Sequence, residues 1–260
     1  MPRALWTGAS GMIAQQTNVD VIANNIANVN TTGFKRQRAS FQDVFYATPQ
    51  APGARVGEQG QSPTGIQIGH GVKLSATPRT FTTGNIEITD GEYDMTIEGD
   101  GFFEVVRPDG SSGYTKAGDF RPDGDGNLVT PDGYYLVPQM TIPADTQQVS
   151  ISSTGIVTVV QGTTQSQIGQ ISLVRFANNA GLIATGRNMF VESTASGTPQ
   201  TGNPGDTAFG TIRQGALERS NVEVVSELVN LIVAQRAYEL NSRSITTSDE
   251  MLQQANDIVR

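Results

Sequence analysis

Cysteine is absent from the 260 residues, which removes thiol nucleophiles, thiolate metal ligands and disulfides together. Histidine occurs once, as His70, so a Ser–His–Asp triad would have to rest on that one residue. It stands in Ile68-Gly69-His70-Gly71-Val72, where the flanking glycines point to an exposed turn. Charge is sparse as well, at 16% of residues, and the formal net charge is -8. Sequence-independent nucleic-acid binding needs clustered Lys and Arg to displace counterions. The one basic run, Lys35-Arg36-Gln37-Arg38, is too short against that acidic total. No apolar run approaches the ~18 residues of a spanning helix. Met1-Pro2-Arg3-Ala4-Leu5-Trp6 lacks the apolar core and small-residue cleavage site of a secretory signal. On these absences alone the chain reads as a cytosolic protein with no nucleic acid, no membrane insertion, no metal and no cofactor.

What is plentiful is glycine, 29 residues, with 12 prolines and much Thr, Ser and Asn. That mixture suits a turn-rich β body. At both ends the pattern changes to helix. In residues 1–34, Leu5, Met12, Val19 and Ile26 recur every seven residues, with Ile22 and Val29 beside the later members. Seven-residue spacing keeps one seam turned toward a partner helix, as in a coiled coil. Gly8, Gly11 and Gln15 weaken the first half. Asn30-Thr31-Thr32-Gly33 is breaker chemistry, so the helix should stop near Asn30. Residues 220–260 mirror this. Ser220-Asn221-Val222-Glu223 reads as a capping box, and Val224, Leu231, Tyr238, Ile245, Leu252 and Val259 hold the same step. No Gly or Pro interrupts residues 216–260, a rod of roughly 60 Å at 1.5 Å per residue. Leu228, Val229, Ile232 and Val233 make a second face apolar, which predicts contact with more than one neighbouring helix. An ordinary buried helix pair within one globular domain serves the periodicity equally well.

Between the helices, residues 81–199 carry Thr-, Val-, Ile- and Phe-rich segments about every ten residues. Pro108-Asp109-Gly110, Pro122-Asp123-Gly124 and Pro131-Asp132-Gly133 each combine a preset dihedral, an acceptor and a left-handed glycine, and so predict hairpins. The expected fold is α+β: terminal coiled-coil helices packed together, with a central antiparallel β-rich domain inserted between them as a sandwich or irregular barrel. Residues 35–80 form an extended or β connector and 200–219 a returning one. Within the first, Ala51-Pro52-Gly53 through Pro63-Thr64-Gly65 has no period and reads as extended or mobile.

Catalytic patterns are wanting. No Walker A loop, HExxH or dinucleotide GxGxxG occurs. Asp123-Gly124-Asp125-Gly126-Asn127 starts like a calcium loop but lacks the later ligands and terminal Glu; hairpin turns explain its residues. Asp90, Glu92 and Asp94 could in principle flank a glycosidase cleft, so a secreted carbohydrate-active enzyme stays as the enzymatic alternative. Tyr134-Tyr135 and Phe102-Phe103 follow strand alternation and read as core.

Three segments resemble the rod and hook proteins of the bacterial flagellum. Ala23-Asn24-Asn25-Ile26-Ala27-Asn28-Val29-Asn30-Thr31-Thr32-Gly33-Phe34-Lys35-Arg36 is similar to their shared N-terminal signature. Gly99-Asp100-Gly101-Phe102-Phe103-Glu104-Val105, with Tyr114–Phe120 and Gly126–Thr130, resembles their core β domain. Ser220-Asn221-Val222 through Glu227-Leu228-Val229, then Gln235-Arg236-Ala237-Tyr238-Glu239 and Asn241-Ser242, resembles their C-terminal helix. The length exceeds minimal proximal-rod members and falls short of hook proteins, and the 51–65 connector (Ala51, Pro52, Gly53, Pro63, Gly65) is similar to that of distal-rod members. The resemblance implies a non-enzymatic, self-assembling tube subunit, exported through the flagellar type III apparatus without a cleaved signal to the periplasmic basal body. It implies as partners other copies of the chain, other rod subunits, the hook protein, ring proteins and the rod cap. The connector is implied to stiffen the rod. Asn24, Asn25 and Asn28 can hydrogen-bond across a helix interface while Ile26 and Val29 pack, fixing register as buried Asn does in coiled coils.

Overall fold

A computed structural model describes residues 3–53, 55, 56, 60, 61, 63–162 and 164–258. Val259 of the C-terminal seam, and Ala54, Gly57, Glu58, Gln59 and Ser62 of the connector, lie outside the described residues. Two long helices, α1 (Arg3–Ala27) and α2 (Val224–Ile258), pack together, and the chain between them is antiparallel β structure. No helix among the described residues is long and apolar enough to cross a membrane. The contacts divide the chain into a helical unit, residues 1–26, 37–78 and 223–260, and a β unit, residues 27–36 and 79–222. The chain therefore passes between the units four times.

In the helical unit, α1 and α2 run antiparallel: Gly8 faces Ile245, while Asn25, near the other end of α1, bonds Glu227. The expected helix stop near Asn30 falls at Ala27, with turns through Asn28–Asn30. The capping box is not formed. Helix α2 begins only at Val224, because Ser220 instead accepts the Val222 N–H at 3.3 Å and Glu223 accepts the Ser226 hydroxyl at 2.9 Å. The rest of this unit is made of two-stranded pieces. Ser40–Asp43 pairs with Val72–Ala76, Tyr46–Gln50 with Ile66–Gly69, and Arg55–Val56 with Gly60–Gln61. The described strands Arg55–Val56 and Gly60–Gln61 thus continue a hairpin arm. Gly65 is required there, since a Cβ would stand 2.5 Å from the Gln50 carbonyl oxygen.

The β unit is built around Phe102–Val106. That strand pairs with Ser112–Thr115 on one edge and with Tyr135–Leu136 and Leu173–Arg175 on the other, inside a nine-stranded sheet. Successive side chains of a strand point to opposite faces, so Phe102 and Phe103 enter different cores. Phe103 meets Phe120 edge-on at 5.3 Å among Val105, Leu136, Val157, Val159 and Leu173. Phe102 joins Tyr114, Val174, Phe176 and Phe190. A three-stranded sheet, Gln148–Ile151, Ile156–Gln161 and Thr164–Gln170, adds Val149, Ile151, Val157 and Val159 to the first core.

The three Pro-Asp-Gly segments all sit in hairpins, with one change. Gly110 and Gly133 take the left-handed conformation, at φ 78° and 84°. In the middle hairpin that position belongs to Gly126, at φ 83°. The cause is Asp123, whose carboxylate accepts the N–H groups of Asp125 and Asn127 at 2.9 and 2.8 Å and extends the turn by two residues. Those bonds hold the Asp123 carboxyl below its ordinary pKa.

Candidate assembly surface

Helix α2 has a packed side of mixed character and an apolar side. At about 100° per residue, Glu227, Ala234 and Ser248 fall on one side, and all three are buried. Leu231 and Ile245 flank that line half-buried. On α1 the buried residues are Gly8, Ala14, Val21, Ile22 and Asn25. The approach is close: a Cβ on Gly8 would lie 2.8 Å from Ile245 Cγ1, and one on Gly11 2.8 Å from Asn241 Nδ2. The glycines read in the sequence as weak points of α1 are where the second helix comes nearest.

The opposite side of α2 is uncovered. Val225, Val229, Ile232, Val233 and Leu240 are 54–69% exposed, and they share one arc of the helix with Arg236. On α1, Trp6 and Ile13 are also open, at 65% and 67%. These are large apolar groups in water, and a contiguous row of them marks a docking face.

The expected seam residues divide between these environments. Ile22 and Asn25 are buried; Leu5, Met12, Val19, Ile26, Asn28 and Val29 are half-buried; Asn24 is exposed. On α2, Leu231 and Ile245 are half-buried, while Val224, Leu228, Tyr238 and Leu252 are exposed. A shallow groove of about 460 Å³, lined by Gln16, Val19, Gln235, Tyr238 and Glu239, runs between the two helices. In the connector, Ala51, Pro52, Gly53 and Pro63 are exposed and Gly65 is half-buried.

Among the buried polar groups the sequence singled out Asn25 but not its partners, and it singled out neither Lys35 nor Glu218 as buried. In the helical unit Asn25 uses its whole amide: Oδ1 accepts the Gln37 N–H at 2.9 Å, and Nδ2 donates to the Gln37 carbonyl at 2.8 Å and to Glu227 Oε2 at 3.2 Å. In the β unit Lys35 Nζ donates to Glu218 Oε1 at 2.5 Å and to the Thr82 carbonyl at 2.8 Å, with both charged side chains wholly buried. Burial lowers the Lys35 pKa and the Glu218 carboxylate opposes that shift. Nearby Lys116 donates to the Gly99 carbonyl at 3.0 Å, and burial, then the charge of Lys35, lowers its pKa to about 8. The signal that could have found these groups is their type in an apolar setting, but the carboxylates that Asn25 and Lys35 meet lie 202 and 183 residues away. His70, by contrast, is exposed with its Nδ1 2.9 Å from the Phe45 carbonyl oxygen.

Comparison with known families matches three parts of the chain. Residues 5–35 match the flagella basal body rod protein model, 96–159 the flagellar hook protein FlgE/F/G D1 domain, and 213–258 the flagellar basal body rod FlgEFG protein C-terminal model. The flagellar basal-body rod protein FlgG of Borreliella burgdorferi is 48% identical, with all of both chains covered. That of Agrobacterium fabrum is also 48% identical over 96% of each chain, and that of Bacillus subtilis 43% over the whole of both. The rod protein FlgF of Caulobacter vibrioides is 35% identical over 98% of this chain and 97% of its own. With matching helices at either end, a matching β core and full-length identity approaching one half, the chain belongs to the flagellar basal-body rod protein FlgG family.

Proposed function

We propose that the chain is a structural subunit of the flagellar distal rod, not an enzyme, and that it polymerises helically into a rigid tube. That tube carries motor torque to the hook and passes exported subunits through its lumen. One observation carries the reading: α2 is packed by α1 on one side and leaves an apolar row open on the opposite side through Val225, Val229, Ile232, Val233 and Leu240. A lone globule gains nothing from that open row, whereas stacked copies bury it many times over at about 25 cal/mol per Å².

In the tube the terminal helices form the inner wall as coiled-coil seams and the β units the outer wall. Leu5, Met12, Val19, Ile26, Val224, Leu228, Tyr238 and Leu252 join the open row of α2 in the contacts between copies, with Asn24, Asn28 and Val29 setting register, while Ile22, Asn25, Leu231 and Ile245 are taken up within one chain. The arm around Ala51, Pro52, Gly53, Pro63 and Gly65 stiffens the wall. Subunits reach the periplasmic basal body by type III export without a cleaved signal, and meet other rod subunits, the hook, the ring proteins and the rod cap. The identity to FlgG relatives, 43–48%, against 35% to a FlgF relative, favours the distal rod over the proximal rod. Electron microscopy of the concentrated protein tests this. Straight tubes are expected; curved tubes would indicate a hook-type subunit, and a strictly monomeric protein at every concentration would refute the proposal.

A further inference from the structure

Residues 27–36 belong to the β unit although they follow directly on α1. Beside the buried ring of Phe34, which lies under Arg79, most of what fastens them is polar. Gly33 N–H donates to the Glu218 carbonyl at 2.8 Å, and Arg36 N–H donates to Asn221 Oδ1 at 2.7 Å. Thr80 N–H donates to the Arg36 carbonyl at 2.9 Å, and Asn221 Nδ2 reaches back to the Thr80 carbonyl at 2.8 Å. At the centre, Lys35 and Glu218 meet with 0% and 1% exposure, and the Gly84 N–H donates to Glu218 Oε1 at 2.7 Å. Gly33 makes the fit possible: it is left-handed, and a Cβ there would sit 2.6 Å from the Ala117 amide nitrogen.

We infer that Lys35 and Glu218 form a clasp that docks residues 27–36 only once the strand Ala216–Glu218, which pairs with Ile86–Ile88, is in place. The chemistry makes docking conditional. An ammonium buried without its carboxylate is strongly disfavoured, and the carboxylate that Lys35 needs lies 183 residues further along the chain. Two apolar residues of similar volume would fill the same space, but they would let the segment settle before Glu218 arrived. The helical unit repeats the arrangement, since the buried amide of Asn25 finds Glu227 202 residues away. The segment 27–36 therefore adopts its docked form only in a chain whose C-terminal part has folded onto the β unit. This inference does not depend on the proposed assembly.

Hydrogen exchange on the full-length protein, read by mass spectrometry, tests the clasp. In Glu218→Gln, which strands the Lys35 charge, peptides within 27–36 should exchange at least tenfold faster relative to a peptide covering Phe102–Val106, which reports opening of the whole unit. In the double variant Lys35→Met/Glu218→Leu, where no charge is stranded, protection of 27–36 should return to within about twofold of the parent. Unchanged exchange of 27–36 in Glu218→Gln, or acceleration matched by the Phe102–Val106 peptide, overturns the clasp. Should Glu218→Gln fail to fold, the double variant decides alone: a folded protein with 27–36 protected supports the clasp, and anything else overturns it.

Discussion

Two lysines of the β unit, Lys35 and Lys116, are buried where most residues are apolar, and they make its stability depend on pH. Lys116 has a pKa of about 8 in the fold against 10.5 in the unfolded chain, through burial first and the charge of Lys35 second. Between those values the unfolded chain binds more protons than the folded one, so stability rises with pH. At about 1.4 kcal/mol per pH unit, the gain is roughly 3 kcal/mol, and Lys35, lowered in the same direction by burial, adds to it. Tyr114 works the other way. Burial raises it to about 12 from 10.0, so its contribution is intact below pH 10 and is lost as pH climbs through 12. Denaturant unfolding of the wild-type protein should therefore show stability increasing from pH 8 to about 10 and then declining. Lys116→Met should flatten the rising limb; a wild-type profile level from pH 8 to 10 would contradict the buried ammonium.

Among the elements, the two terminal helices pack together as the sequence leads one to expect, but small residues bring them together. Gly8 and Gly11 sit against Ile245 and Asn241 at distances that leave no room for a methyl group. Gly8→Val should push α2 away and cost about 1–3 kcal/mol of overpacking, confined to the helical unit. Exchange protection in residues 12–25 and 231–248 should drop while that of Phe102–Val106 stays. Equal loss in both would mean that the two units open as one. This is also where the sequence was hardest to read. Seven-residue spacing of large apolar residues marks both helices, and Leu231 and Ile245 do flank the buried line of α2. Periodicity scores large side chains, however, so it passes over Gly8, Gly11, Ala234 and Ser248, which permit the close approach. The hairpins were legible because turn chemistry is local: Pro, Asp and Gly act within four residues. The middle one moved its glycine to Gly126 because the Asp123 carboxylate chose acceptor bonds further on. The partners of Lys35 and Asn25, Glu218 and Glu227, were illegible for the converse reason, since nothing within either segment names a partner so distant in the chain.

For the molecule as a whole, the proposed polymer makes a quantitative demand on the open side of α2. Ile232 is 58% exposed on the single chain, so replacing it should leave the isolated protein within about 0.5 kcal/mol of its original stability. If copies bury that side against one another, each subunit gains about 1.5–3 kcal/mol from such a side chain. Ile232→Asp forfeits that gain and places a carboxylate in an apolar contact, which adds a desolvation cost. At 1.4 kcal/mol per tenfold, the concentration needed for polymer to form should rise by about tenfold to a hundredfold or more. Sedimentation of polymer against a concentration series measures this, alongside thermal melting of the dilute protein. Glu239 serves as the control: it is already exposed and charged and pairs with Arg236 at 3.0 Å within the same helix, so Glu239→Gln should shift the threshold by less than about threefold. A threshold that Ile232→Asp leaves in place would remove the open side of α2 from the contact between copies. A lowered melting point in the dilute variant would mean instead that this side is already covered within one chain.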